Sequence, residues 1–200
     1  MTKNNLLISI AETGYNVGYS AKKNLATLDI VEKFPGWIGL ISLGVGIFSL
    51  FVTELAVNWV SASFILIGIA STSLNAYGQS KNKYSEAGTN LTGLFHELRI
   101  LYYEVKSLST DADLTIYLDK LKSVQNQALE IKTSKQVFLS DWYAHYKFFW
   151  QMQIDWINEA RPFSFFRDKL PLSFTVIVIG MIFCIIYYLI NSFLSCIAFV

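Results

Sequence analysis

Two long stretches without a charged side chain dominate the first half of the chain. The first covers residues 34–53, the second covers residues 55–80, and Glu54 lies alone between them. A helix needs about 20 apolar residues to cross the hydrocarbon core of a bilayer, and each stretch supplies that length. Because only a few residues can form the turn between them, the pattern predicts two transmembrane helices joined as a tight hairpin.

The composition agrees with a membrane protein. Of the 200 residues, 53% are hydrophobic and 16% are aromatic, and the mean hydropathy is +0.39. An ordinary soluble domain is less apolar than this. The net charge of +1 provides no basic field that would indicate sequence-specific nucleic-acid binding. Cys184 and Cys196 lie in an apolar stretch and are interpreted as small apolar side chains.

A third uncharged stretch closes the chain at residues 170–200. At 31 residues it is long enough to span a bilayer, so we predict a third, C-terminal transmembrane helix.

The charged parts of the chain carry apolar residues at helical spacing. Residues 3–33 predict an amphipathic helix, with a break near Gly14 or Gly18 and an end at Pro35 and Gly36. Residues 81–169 carry three stripes with alternating steps of four and three. They are Ala87, Leu91, Leu94, Leu98, Leu101 and Val105; Leu114, Tyr117, Leu121, Val124, Ala128 and Ile131; and Phe138, Trp142, His145, Phe149, Met152 and Trp156.

These patterns predict an all-α membrane protein with a transmembrane helical hairpin, a cytoplasmic antiparallel helical bundle and a third C-terminal transmembrane helix. The predicted domains are a cytoplasmic amphipathic helix at 1–33, the hairpin at 34–80, a cytoplasmic helical region at 81–169 and the C-terminal helix at 170–200.

Basic residues predict the orientation. They lie before the first helix of the hairpin, after its second helix and before the third uncharged stretch. The turn around Glu54 has no basic residue. The flanking residues are Lys22, Lys23, Lys33, Lys81, Lys83, Arg161, Arg167 and Lys169. The positive-inside rule therefore predicts a cytoplasmic N-terminus, a cytoplasmic region 81–169 and a C-terminus on the opposite side.

Small residues recur along both hairpin helices. Ser42, Gly46 and Ser49 follow one face of the first, and Gly68 and Thr72 are four apart in the second. Such rows let helices approach closely, either within the hairpin or along a pore face in an oligomer. In the same way, Glu54 can simply be solvated in the outer turn or can form an acidic ring at a pore mouth.

We find no catalytic, cofactor-binding or metal-binding pattern. His96 precedes Glu97, but no second histidine follows at zinc-protease spacing. His145 lies on an aromatic stripe, where a structural role is the more frequent one. The chain is therefore not expected to be an enzyme.

The chain resembles the SLATT family. The resemblance covers about residues 10–175 and rests on the segment before the hairpin, on the hairpin itself and on the helix at residues 86–98, where Glu, Gly and Leu follow a recurring spacing. It implies an effector of bacterial anti-phage defence in the inner membrane, where the positive-inside rule puts the C-terminus on the periplasmic or extracellular side. A reverse transcriptase or a nucleotide-second-messenger synthase is the implied partner, and the family has no established catalytic residues.

Two functions compete at this point. The first is a homo-oligomeric effector that forms a pore in, or otherwise disrupts, the lipid bilayer on a partner's signal and so causes abortive infection. The second is a non-conducting, membrane-anchored scaffold or receptor for a cytoplasmic partner.

Overall fold

The computed structural model describes residues 1–131 and 135–197, and every long element in those ranges is an α-helix. The helices are α1 (Lys3–Phe48), α2 (Asn58–Thr72), α3 (Asn75–Gly78), α4 (Lys81–Ser107), α5 (Thr115–Glu130), α6 (Ser140–Gln151), α7 (Asp155–Ala160), α8 (Phe165–Asp168) and α9 (Leu172–Ile197). A 3-10 turn, Thr53–Leu55, connects α1 to α2. Met1–Pro162 form one compact unit and Phe163–Val200 a second. The all-α prediction is confirmed for these ranges.

α1 is one helix of 46 residues, so the predicted break near Gly14 or Gly18 is wrong. Both glycines are buried where another element comes close. A Cβ added to Gly14 would overlap the ring of Trp156, and one added to Gly18 would lie 2.7 Å from Phe95 Cδ2. The glycines therefore make room for aromatic rings, and they do not interrupt the helix.

The predicted helix end at Pro35 is also wrong, because α1 continues through Pro35 to Phe48. Proline removes one backbone hydrogen bond from a helix interior, a loss that membrane helices commonly tolerate. As a consequence, the N-terminal part of the bundle and the first apolar stretch belong to the same helix. No loop separates them.

α4 packs antiparallel to α1. Lys3 Nζ donates to the carbonyl oxygen of Lys106 at 2.8 Å, whereas Gly88, near the other end of α4, lies against Leu25. The first apolar stripe forms the contact face, and this prediction is confirmed: all of its members are buried. They are Ala87, Leu91, Leu94, Leu98, Leu101 and Val105.

The second stripe is buried only at its centre, at Leu121 and Val124 of α5. α5 runs antiparallel to α4, as Lys120 Nζ lies 3.1 Å from Glu104 Oε2 and Gln127 lies beside Glu97. α5 covers only part of α4, and grooves remain along the seam between the two helices.

The third stripe packs against other helices only in part. Phe138 is 86% exposed, and α6 ends before Met152. The residues of α6 that are buried are Ser140, Ala144 and Phe148, because the small side chains at the first two positions bring α6 close to α1. Trp156, the last member of the stripe, is buried in α7.

Two helical segments are long and apolar enough to cross a membrane: Lys3–Phe48, whose first part also packs in the core, and Asn58–Gly78. Only 6% and 11% of their most apolar windows are buried in the protein. A core helix of a soluble protein would be mostly buried, so this exposure favours contact with lipid. The two predicted hairpin spans therefore fall on α1 and on the stretch of α2 and α3.

The second unit contains α8 and α9. Apolar side chains are exposed along α9, among them Val176, Phe183 and Tyr187. The helix begins at Leu172, close to the predicted start of the third span, and residues 198–200 of that span lie outside the described residues. That α9 crosses a membrane stays a prediction.

Candidate functional site

The bundle meets the apolar segments at a region that we call the junction: residues 24–33 of α1, residues 81–84 of α4, and residues 135–147. Thr27 precedes the uncharged stretch by about 10 Å of helix, at 1.5 Å per residue. Tyr84 lies in the first turn of α4. Any motion of the bundle has to pass through these residues to reach the hairpin.

A short segment fastens the two helices of the junction to each other. The Tyr84 hydroxyl donates to the carbonyl oxygen of Lys135 at 2.5 Å. The next residue, Gln136, accepts a hydrogen bond from Thr27 Oγ1 and donates to Asn24 Oδ1 at 3.4 Å. Consecutive residues thus bind α4 and α1, and we call these contacts the clamp.

The α1 and α4 residues of the clamp are buried, whereas Gln136 is half-buried and Lys135 is exposed. Tyr84, Asn24 and Thr27 are each at most 1% exposed. A buried polar group that loses its partner costs about 1–3 kcal/mol, so the clamp favours one arrangement of the two helices over nearby ones. Asn24 Nδ2 also donates to the carbonyl oxygen of Ser20, one turn earlier in α1, which keeps the Asn24 side chain oriented.

Charged groups add a second set of contacts to the junction. Asp29 binds Lys33 at 2.6 Å and also pairs with Lys147 of α6, and Lys23 pairs with Asp141 at 2.8 Å. Burial alone would raise the pKa of Asp29, but hydrogen bonds from Lys147 and Lys33 outweigh it and hold the pKa below its ordinary value. Asp29 is therefore ionised and links α1 to α6.

An aromatic contact lies on the bundle side of the junction. The ring of Tyr19 packs edge-on against His145, with centroids 5.1 Å apart. Burial lowers the pKa of His145, and nearby Asp141 acts in the opposite direction with a smaller effect. His145 Nδ1 is buried without a hydrogen-bond partner. The neutral imidazole is therefore the form that this packing favours, in agreement with the structural role expected for it.

The glycines of the hairpin have more open surroundings than those of the bundle. In the bundle, neighbouring side chains fill the space at Gly14, Gly18 and Gly88. In the hairpin, a Cβ added to Gly46 or Gly68 would meet nothing within 4 Å. Within the described residues of one chain, no close helix approach requires either hairpin glycine.

The polar atoms of the predicted face bond within their own helices. Ser49 Oγ donates to the carbonyl oxygen of Gly46, and Thr72 Oγ1 donates to that of Ile69, each at 2.7 Å. Ser42 is half-buried, and Glu54 is exposed in the 3-10 turn. These hydroxyls therefore do not need water or another helix, and the case for a face rests on the open glycines.

The clamp could not be read from motifs, although one signal was present. Asn24 follows Val17 and Ala21 at heptad spacing, so an uncharged polar residue stands where the apolar pattern expects a core residue. A polar residue at a core position indicates a buried partner. Nothing local identifies that partner as Gln136, which is 112 residues away.

Over residues 1–131 and 135–197, no three His, Cys, Asp or Glu side chains come together as a group that could hold a metal ion. The titratable side chains described above are engaged in packing or in ion pairs between helices.

Comparison with known proteins places the chain. No curated protein and no solved structure matches it. A family model described as SMODS and SLOG-associating 2TM effector domain 6 matches residues 1–178, which takes in α1 to α8 and the beginning of α9. Its two transmembrane segments agree with the two apolar helical segments of the hairpin. The chain is a membrane protein and belongs to the SLATT family of two-transmembrane effector domains.

Proposed function

We propose that this chain is a membrane effector of a bacterial anti-phage defence system. On a signal from its partner it oligomerises through the hairpin and disrupts the inner membrane, and the infected cell stops growing. The family description supports the effector role and the two-span architecture. A reverse transcriptase or a nucleotide-second-messenger synthase of the same system is the proposed source of the signal.

One contrast carries the oligomerisation step. Glycines that face the bundle are filled by neighbouring side chains, whereas the hairpin glycines face open space. Small residues are favoured at helix interfaces in membranes because they let backbones approach closely. Gly46 and Gly68 therefore have a use in contacts between copies that one chain alone does not provide.

The clamp supplies the control step in this proposal. α1 contains both the residues that pack in the bundle and the first apolar stretch. The clamp holds this helix beside α4. A signal that separates the clamp frees the two ends of the hairpin to move apart. Such a switch requires that the partner bind the released state more tightly than the clamped one.

The experiment follows membrane potential with a potential-sensitive dye in cells that express the chain with its neighbouring genes during phage challenge. Wild type should depolarise, and Gly46→Leu and Gly68→Leu should not. Gly44→Leu is the matched control, because residue 44 is about 200° around the helix from residue 46 and is also open. Growth arrest with an intact potential would contradict membrane disruption and favour the scaffold role. Full activity of both Leu variants would contradict the proposed interface.

A further inference from the structure

A groove runs along the seam between α4 and α5. It consists of two neighbouring cavities of about 320 and 570 Å³, which share Glu97 and Gln127 as lining residues. On α4 the lining extends from Thr89 to Glu104. At 1.5 Å per residue this is about 23 Å, the length of a helix of about four turns.

The groove has an apolar floor. Leu94, Leu101 and Val124 lie at its base and are almost fully buried. Ile100 also lines it and is 60% exposed, which leaves an apolar side chain for an occupant to cover. A helix that docks into a groove uses contacts of this kind along its apolar face.

Gly93 is the position in the groove where the backbone of an occupant can come closest to α4. It lines the larger cavity, and a Cβ added to it would meet nothing within 4 Å. Gly88, five residues earlier in the same helix, is by contrast filled by Leu25. A glycine in the middle of a helix lowers helix stability relative to alanine. Gly93 has no packing role in the described part of this chain, and it gives another backbone room to lie against α4.

The rim of the groove is acidic. Glu97 and Glu130 line the larger cavity. Within residues 1–131 and 135–197, no Lys or Arg lines that cavity and neither carboxylate has an ion-pair partner. In the neighbouring cavity Lys120 is already paired with Glu104 at 3.1 Å. Two like charges on one groove repel each other, and a cationic occupant would relieve that repulsion.

We propose that the α4–α5 groove is the docking surface for a basic amphipathic helix of a partner protein. The apolar face of that helix covers Ile100, its backbone crosses α4 at Gly93, and its Lys or Arg side chains pair with Glu97 and Glu130. This inference goes beyond the proposed function and does not depend on whether the hairpin conducts ions.

The test uses the full chain in nanodiscs of zwitterionic phosphatidylcholine and two labelled helical peptides of about 16 residues. One peptide has Lys on its polar face, and the other has Glu at the same positions. Fluorescence anisotropy measures binding, with binding to empty nanodiscs subtracted. The Lys peptide should bind at least about tenfold more tightly than the Glu peptide.

Three variants locate the site. Glu97→Lys with Glu130→Lys should weaken binding of the Lys peptide about tenfold or more, because the charge of the rim is reversed. Gly93→Leu should weaken both peptides and leave the fold intact, since a Cβ there meets open space. The matched control is Glu86→Lys with Asp119→Lys, one acid from α4 and one from α5 that do not line the groove, and it should bind as wild type does.

Three results would overturn the proposal. The first is equal binding of the two peptides to wild type. The second is the same loss of binding in the control pair as in the groove pair. The third is a change of oligomeric state, measured by light scattering, in the Glu97 and Glu130 variant, because the groove would then be a contact between copies of this chain.

Discussion

At the scale of single residues, the glycines of the chain fall into two groups with opposite requirements. Gly14, Gly18 and Gly88 are positions where a methyl group would collide with a neighbour. Gly93 and the hairpin glycines face open space. The sequence shows a glycine in a helix in every case, and only packing tells the groups apart.

Replacing Gly18 and Gly93 with alanine tests this division. Gly18→Ala pushes a Cβ to within 2.7 Å of the Phe95 ring and should destabilise the bundle by about 1–3 kcal/mol. Gly93→Ala should stabilise it by about 0.5–1 kcal/mol through helix propensity. Thermal unfolding followed by circular dichroism measures both. Equal effects of the two substitutions would show that the packing around Gly18 is not as described.

His145 predicts a pH dependence of stability. Burial keeps its pKa below the ordinary value of 6.5, so the unfolded chain binds a proton at a higher pH than the folded chain does. Stability is therefore full above pH 6.5 and falls as the pH decreases from there toward the folded-state pKa. The melting temperature should be lower at about pH 5.5 than at about pH 7.5.

The variant His145→Phe keeps an aromatic ring beside Tyr19 and removes the titrating group. It should lose the pH dependence between those two values, because the imidazole that binds the proton is no longer present. A variant that keeps the full wild-type slope would assign the pH dependence to another group.

At the scale of elements, α1 is the helix on which the architecture depends. It packs against α4 and α6 in the bundle and continues into the first apolar segment. Two long elements connected by a loop could move independently, whereas one helix transmits a tilt from end to end. The clamp contacts of α1, at Asn24 and Thr27, lie about two turns before the apolar stretch begins.

Breaking the clamp should cost more than breaking a similar bridge at the surface. Gln136→Leu leaves Asn24 without one of its partners in a buried position, and we expect a loss of about 1–3 kcal/mol. Gln125→Leu removes an exposed hydrogen bond to Thr13 and should change stability by about 0.5 kcal/mol or less. Denaturant unfolding in detergent compares the two, and equal losses would mean that the clamp is not a special contact.

The features that could be predicted from the sequence are those that a local stretch of residues determines. The hairpin and the buried face of α4 could be predicted because local apolar periodicity determines both. The continuity of α1 through Pro35 could not, because proline signals a helix end in a local window, whereas membrane helices commonly tolerate it. Spacing alone also does not show which face of α6 is buried, because the small Ser140 and Ala144 permit a closer approach than the stripe residue Phe138 does.

At the scale of the whole molecule, the orientation in the membrane is open to a direct test. We expect the turn at Glu54 outside and α5 in the cytoplasm. In a chain with Cys184 and Cys196 replaced by serine, Glu54→Cys should react with a membrane-impermeant maleimide in intact cells. Lys122→Cys should react only after permeabilisation. Labelling of both positions in intact cells, or the reverse pattern, would contradict the orientation.

We propose that the bundle holds the hairpin in an inactive state through the clamp. The most direct measurement is the membrane potential of cells that express Gln136→Leu without any trigger, beside cells that express Gln125→Leu at the same level. We expect depolarisation of cells with Gln136→Leu and a normal membrane potential in cells with Gln125→Leu. A normal potential with a folded, membrane-inserted Gln136→Leu chain would contradict it.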